Sequence, residues 1–298
     1  MRLESSIQSP AQSDMDTEFF KELDRFSLLV RKKVSTAYTG SRRSVRFGHG
    51  INPVGYREYR KGDDFKLVDW KVYGRTEKLF VREHEEERSL MVHILLDASG
   101  SMDFSGKFSF AARLAAGIAY LAVRENEKFS ISLFANELEP GEPRRGVGNL
   151  LRSIELMEGT KPEGGTGIKK AAGQFDRLVS TTSLVVLVSD FLDEIEDVEE
   201  AIFKLSRHDL ILIHVEAPQE ADLNLAGDVR ILDAETNKHL ITRIDQRERD
   251  LYQARRDAHV SRIASVCSSV SVPFFTFRSD GPVFEAFLEM MRAGSLQT

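Results

Sequence analysis

The sequence predicts an α/β fold, a doubly wound and mainly parallel sheet with helices on both faces. Three observations predict it. The runs "LMVHILLD" and "SLVVLVSDF" are continuously apolar and rich in β-branched residues, as strands buried on both faces are. Stretches with helical spacing, ten or more residues long, separate the strand-like runs, which is how parallel strands are joined. Both buried runs lead into an aspartate, Asp97 and Asp190. In such sheets ligands sit beyond the carboxyl ends of the strands, where the winding direction switches. Two aspartates distant in sequence are thereby candidates for one site.

The elements follow in order. Residues 1–18 are polar and read as a frayed tail. Apolar residues at Phe19, Phe20, Leu23, Phe26, Leu29 and Val30 have helical spacing. "GSRRSVRFGHGINPVG" is glycine- and arginine-rich and predicts a surface loop. "KGDD" predicts a turn, and "KLFVREHEEE" a strand running into charge. This block is too short and polar for a full domain. It reads as an N-terminal helix with a hairpin-like appendage over residues 19–88, ahead of a domain over residues 89–298.

In the larger domain, "FSFAARLAAGIAYLAVREN" predicts a helix whose small residues suit packing on a sheet, and "KFSISLFA" a strand. "VGNLLRSIELME" and "GIKKAAGQFDRLVS" predict helices. "DVEEAIFKLSRH" predicts another, with Asp193 or Asp197 as its cap. "DLILIHVEA" is a strand, "DVRILDAETNKHLIT" a hairpin, and "RERDLYQARRDAHVSRIASVCSSV" a long helix. "VPFFTFRS" is the last strand. The closing helix, "PVFEAFLEMMRA", has Pro282 near its first turn.

Composition narrows the function classes. The chain has 298 residues, 41% hydrophobic and 30% charged, an ordinary globular mix. No apolar run is long enough to span a bilayer, and Met1 opens no signal-peptide pattern. The lone cysteine, Cys267, excludes a disulfide within the chain and reads as a reduced, packed thiol. A cytoplasmic location is expected. The net charge of −6 is uneven, because residues 31–88 hold 15 basic and 9 acidic residues. That segment could dock a partner, although a solvated face is the ordinary reading of such charge. The acidic remainder argues against nucleic acid as partner.

The stretch "VHILLDASGSMDFSGK" carries the chemistry. A phosphate-binding loop requires G-x-x-x-x-G-K-[ST]. From Gly100 to Gly106 there is one residue too many, and Phe108 follows Lys107 where a hydroxyl is needed. An aspartyl phosphotransferase wants a second acid at position 99, which is Ser99. Ser99 also lacks the flanking glycines of a G-x-S-x-G elbow. "HEEER" is not H-E-x-x-H, so zinc catalysis is not indicated. His93 and His214 lie in strand patterns and read as packed residues. No general base is nominated, and an enzyme is not expected.

A hard cation fits better. Side chains at i, i+2 and i+4 of an extended segment point to one side, so Asp97, Ser99 and Ser101 could face one point. Magnesium takes oxygen ligands in near-octahedral geometry. Further oxygens come from Thr166, in the turn "EGGTG" before a helix, and from Asp190. Taken singly, each of these residue types is as well explained by capping a helix or turn. The set, in this order and topology, is far more specific.

D-x-S-x-S after the first sheet strand, a Gly-Gly-Thr turn and a later strand-end Asp resemble the von Willebrand factor A fold and its metal-ion-dependent adhesion site. The resemblance implies Ser99, Ser101 and Thr166 as direct ligands of Mg²⁺ or Mn²⁺, with Asp97 and Asp190 acting largely through water. It also implies one position left for a partner's Asp or Glu carboxylate. Upstream, Tyr59, Gly62, Asp63, Asp64, Asp69, Trp70, Arg75, Val81 and Arg82 are similar to the pattern of bacterial proteins grouped as domain of unknown function family fifty-eight. That resemblance runs from residue 40 to the end of the chain. It implies an adaptor for a MoxR-type AAA+ ATPase, in chaperoning or complex assembly. Many members read Gly-Gly-Thr-Asp; here Gly167 stands in place of the acid. Turn chemistry and aromatic burial account for Asp63, Asp64, Asp69 and Trp70, with partner docking as the alternative. The expected protein is a metal-dependent protein–protein interaction module that does not enter the membrane. A Mg²⁺-assisted hydrolase and a metal-independent scaffold binding through its basic segment are the alternatives.

Overall fold

The computed structural model describes residues 21, 47–60, 65, 68–85, 91–222, 227–232 and 239–296. The tail expected at residues 1–18 and the turn at residues 61–64, with Asp63 and Asp64, lie outside them. So does the helix expected from Phe19 onward, apart from helical Lys21. The chain divides into two compact units, Arg31–Ser89 and the remainder.

In the smaller unit, β1 (Phe47–Glu58) pairs antiparallel with β2 (Phe80–Glu85). The sequence predicts a loop over much of β1. The strand forms because β2 supplies partners for its backbone, and the irregularity the glycines and Pro53 predict survives as register shifts around Pro53. Between the strands lies α1 (Trp70–Thr76). Asp69 is its N-cap, accepting from Lys71 N at 2.9 Å and Val72 N at 3.3 Å. Local structure therefore explains Asp69. Burial does not explain Trp70, which is 59% exposed at the first helical position.

The larger unit is built on six strands. They are β3 (Met91–Asp97), β4 (Lys128–Phe134), β5 (Leu138–Glu139), β6 (Leu184–Ser189), β7 (Asp209–Glu216) and β10 (Phe274–Arg278). Their spatial order is β10-β7-β6-β3-β4-β5, parallel except for the short β5 at the edge. Counted within this sheet, that is the doubly wound order 3-2-1-4-5-6. The expected α/β class is therefore present. β8 (Gly227–Leu232) and β9 (His239–Ile244) form the expected separate antiparallel hairpin.

Strand alternation divides the core into two layers. Val92, Ile94 and Leu96 of β3, with Val186 and Val188 of β6, face one layer. Against them pack α2 (Lys107–Arg124), α3 (Val147–Gly159) and α8 (Val283–Leu296). Leu95, Val185 and Leu187 face the other layer, formed by α4 (Ile168–Leu178), α5 (Ile195–Leu205) and α7 (Gln246–Ser269). This two-sided burial is why β3 and β6 read as unbroken apolar runs. The short α6 (Pro218–Ala221) follows β7.

Three packed residues conform to their sequence reading. Cys267 is buried, and burial pushes its thiol up to about 11. His93 is bonded to Ser130 Oγ at 2.8 Å, and His214 to Thr276 Oγ1 at 3.3 Å. Asp193 differs from its expected role. It stands one residue before the N-cap Glu194 of α5, and its Oδ2 accepts from Ile168 N at the start of α4, at 3.2 Å. A cap assignment based on the nearest following helix misses a carboxylate that serves another helix in space.

Candidate metal centre

β3 and β6 are adjacent and parallel, with Leu96 opposite Val188. They flank the point where the winding reverses, so Asp97 and Asp190 emerge side by side at the carboxyl end of the sheet. Both are buried. Beyond Asp97 the chain is not extended throughout, as the one-sided reading assumed. Ser99 is extended (φ −67°, ψ 164°), and a 3₁₀ stretch, Gly100–Gly106, begins immediately after it. This turn places Ser99 Oγ 3.0 Å from Ser101 Oγ. The two hydroxyls converge through the turn.

The other loops are fastened to this one by backbone bonds. Ala98 N donates to Phe134 O at 2.8 Å, Glu163 N to Ala98 O at 3.0 Å, and Gly100 N to Gly164 O at 2.9 Å. The Gly-Gly-Thr turn is thereby held against the D-x-S-x-S loop, with Thr166 half-buried two residues beyond the last of these bonds. Gly167 has a steric role. A Cβ there would stand 2.9 Å from Ala135 O and 3.0 Å from Asn136 O, so the approach of the turn to the loop after β4 demands glycine.

Asp97 is held at both oxygens. Oδ1 accepts from Ser99 N at 2.9 Å, and Oδ2 from Ser189 Oγ at 2.5 Å. Ser189 Oγ in turn accepts from Phe191 N at 2.9 Å. Burial, and then the neighbouring Asp190, push the Asp97 carboxyl up to about 7 despite these bonds. Among the described residues, no cation contacts it. Asp190 differs. Its Oδ1 accepts from Leu192 N at 3.2 Å, and its Oδ2 receives Lys107 Nζ at 2.8 Å. Lys107 is fully buried and also donates to Glu220 Oε1 at 2.6 Å.

The donor set fits a hard cation. Among the described residues, no three His, Cys, Asp or Glu side chains converge on a metal-sized site. The available donors are hydroxyl and carboxylate oxygens, the chemistry Mg²⁺ and Mn²⁺ prefer over soft ions. Adjacent ligands of an octahedron with bonds of about 2.1 Å stand roughly 3.0 Å apart, and the hydroxyls of Ser99 and Ser101, hydrogen-bonded to each other, have a spacing compatible with that. The carboxylate of Asp97 also lacks a compensating positive charge, which a dication would supply.

Sequence reasoning missed Lys107, Ser189 and Glu220. In sequence Lys107 stands out only against the phosphate-loop motif it fails to complete, and a lysine at a helix start ordinarily reads as solvated. Ser189 adjoins Asp190 in "VSD", and its position as the last residue of β6 was the one available signal. Nothing in the sequence brings Glu220 to Lys107, 113 positions away.

Two relatives align with this chain over different extents. An uncharacterized protein of Mycobacterium tuberculosis, Rv1480, is 27% identical over 278 residues, covering 89% of this chain and 86% of its own. The uncharacterized protein MAV169 of Mycobacterium avium is 30% identical over 135 residues, covering 44% of this chain and 78% of its own. Among solved structures, the conserved hypothetical protein BatB from Bacteroides thetaiotaomicron aligns with a TM-score of 0.44 and 15% identity, over 70% of this chain and 100% of that one. The SpRpn10 VWA domain aligns with a TM-score of 0.43 and 10% identity, over 67% and 94%. A family model matches residues 55–262, and the chain belongs to the family described as Protein of unknown function DUF58.

Proposed function

We propose that the protein is a metal-dependent interaction module acting in the cytoplasm. Ser99, Ser101 and Thr166 would hold Mg²⁺ or Mn²⁺ directly, and Asp97 and Asp190 would support it. When bound, the ion supplies a Lewis-acidic position for a partner's Asp or Glu carboxylate. The adaptor role toward a MoxR-type AAA+ ATPase belongs to the same proposal. The observation that carries it is the 3.0 Å pair of hydroxyls beside a buried carboxylate that no cation contacts among the described residues.

The residues favour binding over catalysis. Asp97 is fully buried with both oxygens engaged, which favours a supporting role over that of a general base. Among the described residues, no helix is long and apolar enough to cross a membrane.

The test is thermal unfolding with Mg²⁺, with Mn²⁺ and with chelator, for the wild type and Ser99→Ala/Ser101→Ala. A ligand that binds only the folded state raises the midpoint. A metal-dependent rise that the double variant loses is expected. No rise at millimolar metal, either for the chain alone or with the AAA+ partner added, overturns the proposal.

A second reading, a metal-independent scaffold, is favoured by one observation. Phe65, Trp70 and Tyr73 are exposed within the basic segment, and exposed aromatic residues are preferred interface anchors. Capture of the AAA+ partner that is salt-sensitive, survives chelator and is lost in Trp70→Ala would establish it.

A further inference from the structure

Lys107 is the feature that the metal reading does not absorb. Its ammonium is fully buried, 2.8 Å from Asp190 Oδ2 and 2.6 Å from Glu220 Oε1. A buried ammonium is costly unless carboxylates surround it, so this position is a built one. The lysine opens α2, directly after the loop that carries Ser99 and Ser101. The chain enters that helix through Ser105 and Gly106, at φ 50° and 74°.

Three further bonds hold the surroundings. Ser105 Oγ donates to Gln219 Oε1 at 2.8 Å, Glu220 Oε2 accepts from Ala217 N at 2.8 Å, and Ser279 Oγ donates to Ser105 O at 2.8 Å. Thus α6 and the loop are tied together around the ammonium. The lysine cannot swing away without breaking this packing.

We propose that Lys107 is a resident cation that sets the affinity of the centre for divalent metal, an inference that rests on the metal site proposed above. Its positive charge takes up one oxygen of Asp190. It keeps the carboxyl end of the sheet assembled without metal, and it repels an incoming dication. The native chain consequently binds Mg²⁺ weakly by itself, and an added carboxylate from a partner tips the balance toward the metal-bound form. Glu220 opposes the lysine, because it draws on the same ammonium and returns negative charge to the cluster.

The two residues make predictions of opposite sign. Replacing Lys107 by methionine keeps most of the unbranched side chain and removes the charge. Lys107→Met should bind Mg²⁺ at least tenfold more tightly than wild type by titration calorimetry. Its unfolding midpoint should fall in chelator and recover more with Mg²⁺ than that of the wild type. Glu220→Gln leaves the ammonium to Asp190 alone and should weaken Mg²⁺ at least threefold.

Equal or weaker binding by Lys107→Met, with the wild type binding normally, overturns the inference and leaves Lys107 as a positioning residue for Asp190. If Lys107→Met does not fold even with Mg²⁺, Glu220→Gln decides, and unchanged or tighter binding in that variant overturns the inference. If only Lys107→Met binds metal, the inference stands while the metal-dependent function of the native chain fails. If neither protein binds metal, both fail.

Discussion

The ammonium of Lys107 and the carboxylate of Asp190 meet at 2.8 Å with side chains 0% and 1% exposed. A pair so enclosed gains little over an apolar replacement, but losing one member strands the other. Asp190→Ala leaves Lys107 with only the partly exposed Glu220. It should destabilise the fold by about 3 kcal/mol, the lower end of what breaking a buried pair costs. Urea unfolding of the metal-free protein measures this.

Ser189 joins two buried groups, donating to Asp97 Oδ2 and accepting from Phe191 N. Ser189→Ala leaves both without that partner and should cost about 1–3 kcal/mol. Because the lost bond favours the charged carboxylate, the Asp97 carboxyl should rise further. Unfolding curves give the first effect, and NMR titration of the Asp97 carboxyl carbon gives the second.

Burial pushes His93 down to about 4, with His208 adding to the shift. Between that value and the unfolded value of about 6.5, the unfolded chain holds a proton that the folded chain lacks. The His93 contribution is therefore complete above pH 6.5 and declines as the pH falls toward 4, by up to about 1.4 kcal/mol per pH unit. His93→Phe should lose this slope. Stability measured from pH 7 to pH 4 on both proteins, and compared as a difference, isolates it from Asp97. That carboxyl is shifted upward, so its contribution declines in the opposite direction, as pH rises from about 4 to about 7.

Gly167→Asp would supply the acid that the resemblance leads one to expect after Gly-Gly-Thr. Here the new Cβ meets Ala135 O at 2.9 Å and Asn136 O at 3.0 Å. The variant should be less stable than wild type by about 1–3 kcal/mol, as overpacked sites are, and should not bind Mg²⁺ more tightly. Thermal unfolding with and without Mg²⁺ tests both parts.

Asp69 and Trp70 are neighbours with unequal expected effects on stability. Asp69→Ala removes the N-cap of α1 and should cost about 1 kcal/mol. Trp70→Ala removes an exposed side chain and should change stability by less than about 0.5 kcal/mol. Denaturant midpoints of the two variants decide this.

The fold was legible because β3 and β6 are buried on both faces, and such strands announce themselves in a single apolar run. The candidate site was legible because D-x-S-x-S, Gly-Gly-Thr and a strand-end Asp are local patterns, each readable without knowing its neighbours. β1 escaped because its strand character depends on β2, and Trp70 escaped because hydrophobicity alone does not say which way a capped helix start faces.

The sequence by itself determined the order of elements, the two-sided sheet and the oxygen-rich loop at its carboxyl end, since backbone propensity and burial pattern are written residue by residue. Only the tertiary structure decided the charge balance of that loop. Lys107, Asp190 and Glu220 come together through the winding of the sheet, which joins positions 83 and 113 residues apart. Electrostatic energy depends on separation in space and on burial, and neither is encoded in the spacing of residues along the chain.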